Sequence, residues 1–181
     1  MTASGFEGRV ALVAGGGNPV GAAVARSLAA RGVSVVVTGP DEHALAMVVC
    51  EVANAAGKAR HLAGDLADAT HVAATLEKLR ASFGAAPSIV VSTEGPTSFA
   101  AAVAEAAGTV TSLVLVGDET VAIDAAALAN AGFPCHAVVG GAEGGPVLSP
   151  EDAAEVVVLA CMPAAQALRG SVLRLRGAVA S

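Results

Sequence analysis

The sequence contains no tyrosine and no tryptophan, and four phenylalanines among 181 residues. Its core must therefore be built from small aliphatic side chains. Alanine and valine dominate the 54% of residues that are hydrophobic, and small side chains suit close packing of helices on a sheet. That hydrophobic content excludes a disordered chain. Charged residues are scarce, at 14%, and the net charge is -6. Without a basic surplus, a nucleic-acid partner is not expected. No apolar run approaches the roughly 20 residues that a membrane span needs, so no membrane role is expected either. The start, Met1 to Arg9, lacks a basic stretch followed by an apolar one. The expectation is a cytoplasmic protein. Cys50, Cys135 and Cys161 are odd in number, scattered and set among apolar neighbours. They read as reduced core residues rather than ligands or bridges. The four histidines show no metal-ligand spacing, so no metal site is expected. The length fits one domain, 1–181, with one core.

What the chain does contain is an alternation of short Val-rich runs and longer Ala-rich amphipathic ones. Val10-Ala-Leu-Val-Ala-Gly-Gly-Gly-Asn-Pro-Val-Gly21 reads as a buried strand, a glycine-rich turn and the opening of a helix. Such a turn exposes backbone N–H groups, and the helix N-terminus adds a partial positive charge. Val33–Thr38 is a near-continuous apolar run, as expected of a strand covered on both faces. A helix is expected over Asp41–Ala56, with Leu45, Val48, Val49 and Val52 on one side. Ala59–Leu62 is a short strand. The next helix carries Val72, Leu76, Leu79 and Phe83 on one face and stops at Gly84. Strands over Ser88–Ser92, Thr111–Val116 and Cys135–Val139 alternate with short helices over Thr97–Ala107 and Thr120–Asn130. Ser149-Pro-Glu-Asp152 starts a helix: Ser149 suits an N-cap, Pro150 the first helical position and Asp152 a capping box. Ser171–Arg176 closes the chain as a strand with one wet face. Strands separated by helices imply right-handed crossovers and a doubly wound parallel sheet.

With these positions placed, the sequence resembles the short-chain dehydrogenase/reductase family over nearly its whole length. Gly8-Arg-Val-Ala-Leu-Val-Ala-Gly15 resembles the family's first strand. Gly64-Asp65-Leu66 resembles its adenine-side acidic turn. Ser149 to Glu155, and then Gly170 to Leu175, are similar to its last helix and strand. The resemblance implies an α/β, Rossmann-like doubly wound parallel sheet of about seven strands. It implies NAD or NADP as cofactor and a cofactor-binding set of Gly15, Gly17, Asn18, Val20, Gly21, Asp65 and Leu66. Asp65 could accept from the adenine amino group, or cap the following helix.

The departures from the family pattern fall together. Its glycine loop has the form Thr-Gly-x-x-x-Gly-x-Gly. Here Ala14 replaces the Thr and Pro19 the middle Gly, which brings ring atoms and removes an N–H donor. At Thr38-Gly39-Pro40-Asp41, where the family distinguishes NAD from NADP, neither Gly39 nor Pro40 can hold a ribose hydroxyl or a 2′-phosphate. Asp41 stands one position late, where it also suits a helix N-cap. Ser92-Thr-Glu-Gly95 replaces Asn-Asn-Ala-Gly and puts Glu94 beside the cofactor path, where it would repel phosphates. The family's Tyr-x-x-x-Lys pair has no counterpart, and the position of its Ser holds Asp118 or Glu119. The stretches Ser92–Asp118, Asp118–Gly141 and Gly141–Pro150 are each shorter than the family layout. Shortened fourth and fifth helices and no substrate lid are therefore expected.

These features together suggest a short-chain dehydrogenase-like protein that is inactive as a dehydrogenase. It would act as a structural or partner subunit with residual nucleotide binding. The apolar faces of Phe99–Ala104 and Val121–Leu128 are expected to need cover, from a homo-oligomer or from a full-length short-chain dehydrogenase. Two enzymatic alternatives stand beside this reading. One is an NAD(P)-dependent oxidoreductase whose site another subunit completes. The other is a non-redox enzyme with Glu94 and Asp118 as its catalytic carboxylates, joined by Glu119 and His136.

Overall fold

The computed structural model describes residues 5–140, 149–168 and 170–175, without the side chains of Glu119, Gln166 and Leu168. Seven strands alternate with six helices. In chain order these are β1 (Val10–Ala14), α1 (Pro19–Ala30), β2 (Ser34–Gly39), α2 (Glu42–Asn54), β3 (Lys58–Ala63), α3 (Ala69–Phe83) and β4 (Ile89–Ser92). The second half runs α4 (Thr97–Ala107), β5 (Ser112–Gly117), α5 (Glu119–Asn130), β6 (Cys135–Val139), α6 (Pro150–Cys161) and β7 (Val172–Arg174). A 3-10 helix over Pro163–Leu168, unexpected from the sequence, joins α6 to β7.

All strand pairs are parallel, in the order β3-β2-β1-β4-β5-β6-β7. The order turns round between β1 and β4, which is where open sheets of this kind form a crevice. Ala14 pairs with both Thr38 and Ser92, so β1, β2 and β4 end level with one another.

The helices divide between the two faces. Ala11 and Val13 of β1 pack with α1, α2 and α6. Val10, Leu12 and Ala14 pack with α3, α4 and α5. Both faces are covered, so β1 must be apolar at every position, and all five of its residues are buried. Ala22, Ala23, Ala25 and Ala29 of α1 share a core with Ala153, Ala154 and Ala160 of α6. Small side chains let these helices approach closely without large aromatics.

Most helices begin with their own cap. Asn18, Asp41, Asp68, Asp118 and Ser149 each accept a backbone N–H of the first turn, and α4 alone starts without one. At Ser149 the hydroxyl also donates to Asp152 Oδ2 at 2.8 Å. Arg9 organises the opposite edge of the sheet. Its guanidinium donates to Cys161 O at 3.1 Å, to Ser88 Oγ at 3.3 Å and to the Thr111 hydroxyl. Three strand starts are thereby tied to the end of α6.

The structure corrects two expectations. Cys50 is exposed, not core. Helix α2 buries Leu45, Val48 and Val52, and Cys50 falls on the opposite side of the turn. The expected face of α3 packs on one core, with Leu76 and Leu79 buried and Val72 and Phe83 half-buried against it, and His71 and Thr75 are buried beside them. The apolar run of α4 is covered by its own sheet: Phe99, Ala100, Val103 and Ala104 are all buried. On α5, Ala122 and Ala125 are buried, whereas Ile123 is 72% exposed. Cys135 and Cys161 are core residues as expected, and burial pushes both thiols up to about 12. The loop expected to lack a lid, 141–148, and Arg176 at the end of the expected last strand lie outside the described residues.

Candidate functional site

The crevice is floored by the glycine loop between β1 and α1. The N–H groups of Gly15 and Gly16 both donate to Thr38 O, at 2.8 and 3.2 Å, which folds the loop back on the end of β2. Gly15 has φ +76°, a left-handed conformation that favours glycine. A Cβ on Gly21 would lie 2.1 Å from Gly15 O, and one on Gly16 2.5 Å from Val37 Cβ. On Gly17, a Cβ would meet Ala44 Cβ at 3.2 Å. These glycines are required by close packing of the helix start on the strand, whether or not a ligand is present.

Asn18 closes the loop. Its Oδ1 accepts from Gly21 N at 2.7 Å, and its Nδ2 donates to Thr93 O and Thr93 Oγ1 at 3.3 and 3.1 Å. Thr93 Oγ1 donates in turn to Ala14 O and Gly15 O at 3.1 and 3.2 Å. The end of β4 is thus latched onto the glycine loop. The N–H groups of Gly15, Gly16, Asn18 and Gly21 are all used internally, and Pro19 has none. Gly17 and Val20 are the loop positions whose N–H groups remain for an anion.

The adenine-side turn follows β3. Gly64 N donates to Gly39 O at 2.9 Å. Asp65 Oδ1 accepts from Ala67 N at 2.8 Å in a tight turn. The cap of α3 is Asp68, which takes Thr70 N at 2.8 Å and the Thr70 hydroxyl at 2.8 Å. Those bonds hold the Asp68 carboxyl below its ordinary range, the backbone bond being the main cause. Asp65 is therefore not the helix cap, and it stays exposed with one oxygen bonded in the turn. Leu66 is buried against Gly95, whose Cβ would meet Leu66 Cδ1 at 2.8 Å.

No sequence motif marks His71. It is buried beneath this turn, with its ring against Gly64, where a Cβ would lie 2.2 Å from His71 Cε1. Nε2 lies 2.7 Å from Thr38 Oγ1, and Thr38 Oγ1 donates to Leu62 O at 2.7 Å. A hydroxyl has one proton, so Nε2–H is the donor to Thr38. The ring stacks on Phe99 with centroids 5.8 Å apart. Burial lowers its pKa, opposed by the charges of Asp68 and Asp65. The one hint was spacing: His71 and Thr75 lie four residues apart on the same helical stripe.

The other sequence candidates lie across the crevice. Glu94 is exposed, and its Cβ lies 2.5 Å from where a Cβ on Gly15 would be. Asp118 caps α5 by accepting the Thr120 hydroxyl at 2.6 Å and Thr120 N at 2.9 Å. The hydroxyl bond is the larger cause that holds its carboxyl below the usual range. A carboxylate so engaged is a poor general base at neutral pH. The Glu119 side chain lies outside those described. His136 is buried in β6. Asp41 caps α2 through Ala44 N at 3.0 Å, which leaves the end of β2 without a dedicated ribose partner. An open depression there is lined by Pro40, Asp41, Glu42, His43, Ala46 and His61. A separate groove of about 540 Å³ between α3 and α4 is lined by Leu66, Val72 and Phe99 among others. It meets the candidate cofactor set only at Leu66. No cluster of three or more metal-ligating side chains occurs among the described residues, and no helix among them is long and apolar enough to cross a membrane.

A parallel sheet in this order, with a glycine loop at the point where the order reverses, defines a Rossmann-type nucleotide-binding fold. Within that class the chain belongs to the short-chain dehydrogenase family, whose sequence model matches residues 9–111. Over 79 residues it is 39% identical to 3-oxoacyl-(acyl-carrier-protein) reductase FabG of Escherichia coli, a segment that covers 44% of this chain and 31% of that reductase. The matched part is thus under a third of the relative's length. Among solved structures, L-sorbose reductase of Gluconobacter frateurii, complexed with NADPH and L-sorbose, superposes with a TM-score of 0.85 at 16% identity. The superposition covers 98% of each chain. A short chain dehydrogenase of Burkholderia cenocepacia in complex with NADP gives 0.82 at 18% identity, over 96% of this chain and 98% of that one. At such identities the likeness establishes the fold.

The family implies a nicotinamide dinucleotide, and the crevice fits it in part. Asp65 and the turn around it suit an adenine. The diphosphate path does not fit: two loop N–H groups remain, a proline ring replaces a glycine, and Glu94 brings a carboxylate.

Proposed function

We propose that this chain is a short-chain dehydrogenase subunit that performs no hydride transfer by itself and works as a structural or partner subunit. The observation that carries this reading is the fate of the chemistry-bearing positions. The chain has no tyrosine, and Asp118, where the family's serine is expected, is spent on capping α5. Its lysines, Lys58 and Lys78, lie at the start of β3 and within α3, away from the carboxyl edge of β4 and β5. Residual nucleotide binding remains with the glycine loop and Asp65. Family membership and the NADP-bound neighbour make NAD or NADP the ligand class to test first. The partner role rests on the surface of the α3–α5 side. Ile123 is exposed there, and an apolar groove runs between α3 and α4. A second copy or a full-length short-chain dehydrogenase is the expected partner.

The test is to incubate the purified chain with NADH or NADPH and a panel of aldehydes, ketones and 3-oxoacyl thioesters. No oxidation above background is expected. Sedimentation and affinity capture from the native cell should show a homo-oligomer or a complex with a full-length relative. Turnover by the chain alone would overturn the proposal. Turnover that appears only on mixing with the relative would favour a site completed by another subunit.

A further inference from the structure

Glu94 is held more firmly than its exposure suggests. On its amino side, Thr93 is fixed by bonds to Ala14 O, Gly15 O and Asn18 Nδ2. Its own carbonyl accepts from Ser92 Oγ at 3.2 Å. On its carboxyl side, Gly95 has φ +83° and packs on Leu66. The backbone of Glu94 is therefore pinned between the glycine loop and the adenine-side turn. Its N and Cβ lie 2.8 and 2.5 Å from where a Gly15 side chain would begin. The carboxylate hangs two bonds beyond that Cβ, at an exposed position next to Gly15. Among the described residues it forms no ion pair.

We propose that Glu94 sets the ligand class of the crevice, so that it accepts an adenine nucleoside and rejects dinucleotides, whose diphosphate would lie over Gly15. The inference rests on the reading of the glycine loop and Asp65 as a residual nucleotide site. Like charges a few ångströms apart repel even at an exposed position, most strongly at low ionic strength, whereas an uncharged nucleoside does not feel the carboxylate. Pro19 acts in the same direction by removing one donor, but it adds no repulsive charge, so its effect on the diphosphate is the smaller.

The experiment compares the whole chain with Glu94→Gln and Pro19→Gly. Glutamine keeps the shape and removes the charge, and equal melting temperatures confirm an intact fold. Adenosine, ADP-ribose, NAD and NADP are titrated into each protein by calorimetry or ligand-observed NMR. Adenosine should bind the wild type and Glu94→Gln equally. The three diphosphates should bind Glu94→Gln about tenfold tighter, or more, than wild type. Pro19→Gly should recover less. Equal diphosphate affinity for wild type and Glu94→Gln, with adenosine bound, would overturn the inference alone. So would an equal gain for adenosine, or full recovery by Pro19→Gly. No binding of any ligand to any of the three proteins would overturn both the residual site and the inference.

Discussion

The two sides of the crevice are built differently. On the β1–β3 side the glycines and buried polar groups are committed to distant parts of the fold, while Asp41, Asp65 and Asp68 serve local turns. Gly21 touches the Gly15 carbonyl, Thr38 serves Leu62 and His71, and Gly64 lies on the His71 ring. On the β4–β6 side, beyond the Thr93 latch to the glycine loop, the polar groups serve local turns and neighbouring helices. Asp118 bonds within its own helix start, and the Glu94 carboxylate faces solvent. Thr97 to Asp124, at 2.8 Å, joins α4 to α5. One side is over-determined, the other loosely specified. A protein that keeps a scaffold and gives up a reaction would show this asymmetry.

Gly21→Ala breaks the comparison hardest. The new Cβ meets a backbone carbonyl, which cannot swing aside as a side chain can. The expected loss is about 3 kcal/mol or more, which lowers the melting temperature by roughly 6–12 °C in a chain of this size. A calorimetric scan measures it. A loss under about 1 kcal/mol would show that the helix start can slide, and that this side is not over-determined.

His71→Gln comes next. It removes the stacking on Phe99 and leaves an amide to replace the ring N–H at Thr38, so it should cost about 1–2 kcal/mol at pH 8. The pH dependence is the sharper reading. Burial lowers the His71 pKa in the folded state, with Asp68 and Asp65 the charges that oppose it. The unfolded chain therefore takes up the proton first. The stabilisation is complete above the unfolded value of about 6.5 and is lost as pH falls below it. Wild-type stability should decline from pH 7 to pH 5 more steeply than that of His71→Gln. Parallel curves would mean that the ring charges without cost where it lies.

A stabilising change tests the same region. The Thr75 hydroxyl is buried without a partner. Thr75→Val keeps the shape and removes the unpaired group, so it should add about 1 kcal/mol. Denaturant unfolding would show this as a higher midpoint at unchanged slope. A loss instead would mean that a water or ligand satisfies the hydroxyl.

Much of the fold was legible in the sequence because its signals are local. Continuous valine runs mark doubly covered strands. Gly84, at φ +73°, ends α3 where expected. Ser149-Pro150 opens α6 where expected. The glycine loop was legible for the same reason. The rest depends on partners distant in the chain. The Asn18–Thr93 latch spans 75 residues, and a composition of small residues does not disclose it. His71 reads as a surface polar residue until Thr38 and Gly64 are placed beside it. Cys50 was misplaced because apolar sequence neighbours say nothing about which side of a helix a residue occupies.

The smallest effect is expected at Asp118, and it separates a cap from a catalytic base. Capping needs an acceptor oxygen, which asparagine also supplies. Asp118→Asn should leave the melting temperature unchanged, and Asp118→Ala should lower it slightly, with both shifts smaller than that of Thr75→Val. A general base instead needs a carboxylate of suitable basicity, and here the Thr120 hydroxyl and N–H both bond Oδ1 and hold the pKa down. Any turnover found for this chain or its complex should therefore survive Asp118→Asn. Turnover lost in Asp118→Asn without loss of stability would move Asp118 from scaffold to chemistry, and the loosely built side of the crevice would then be the working one.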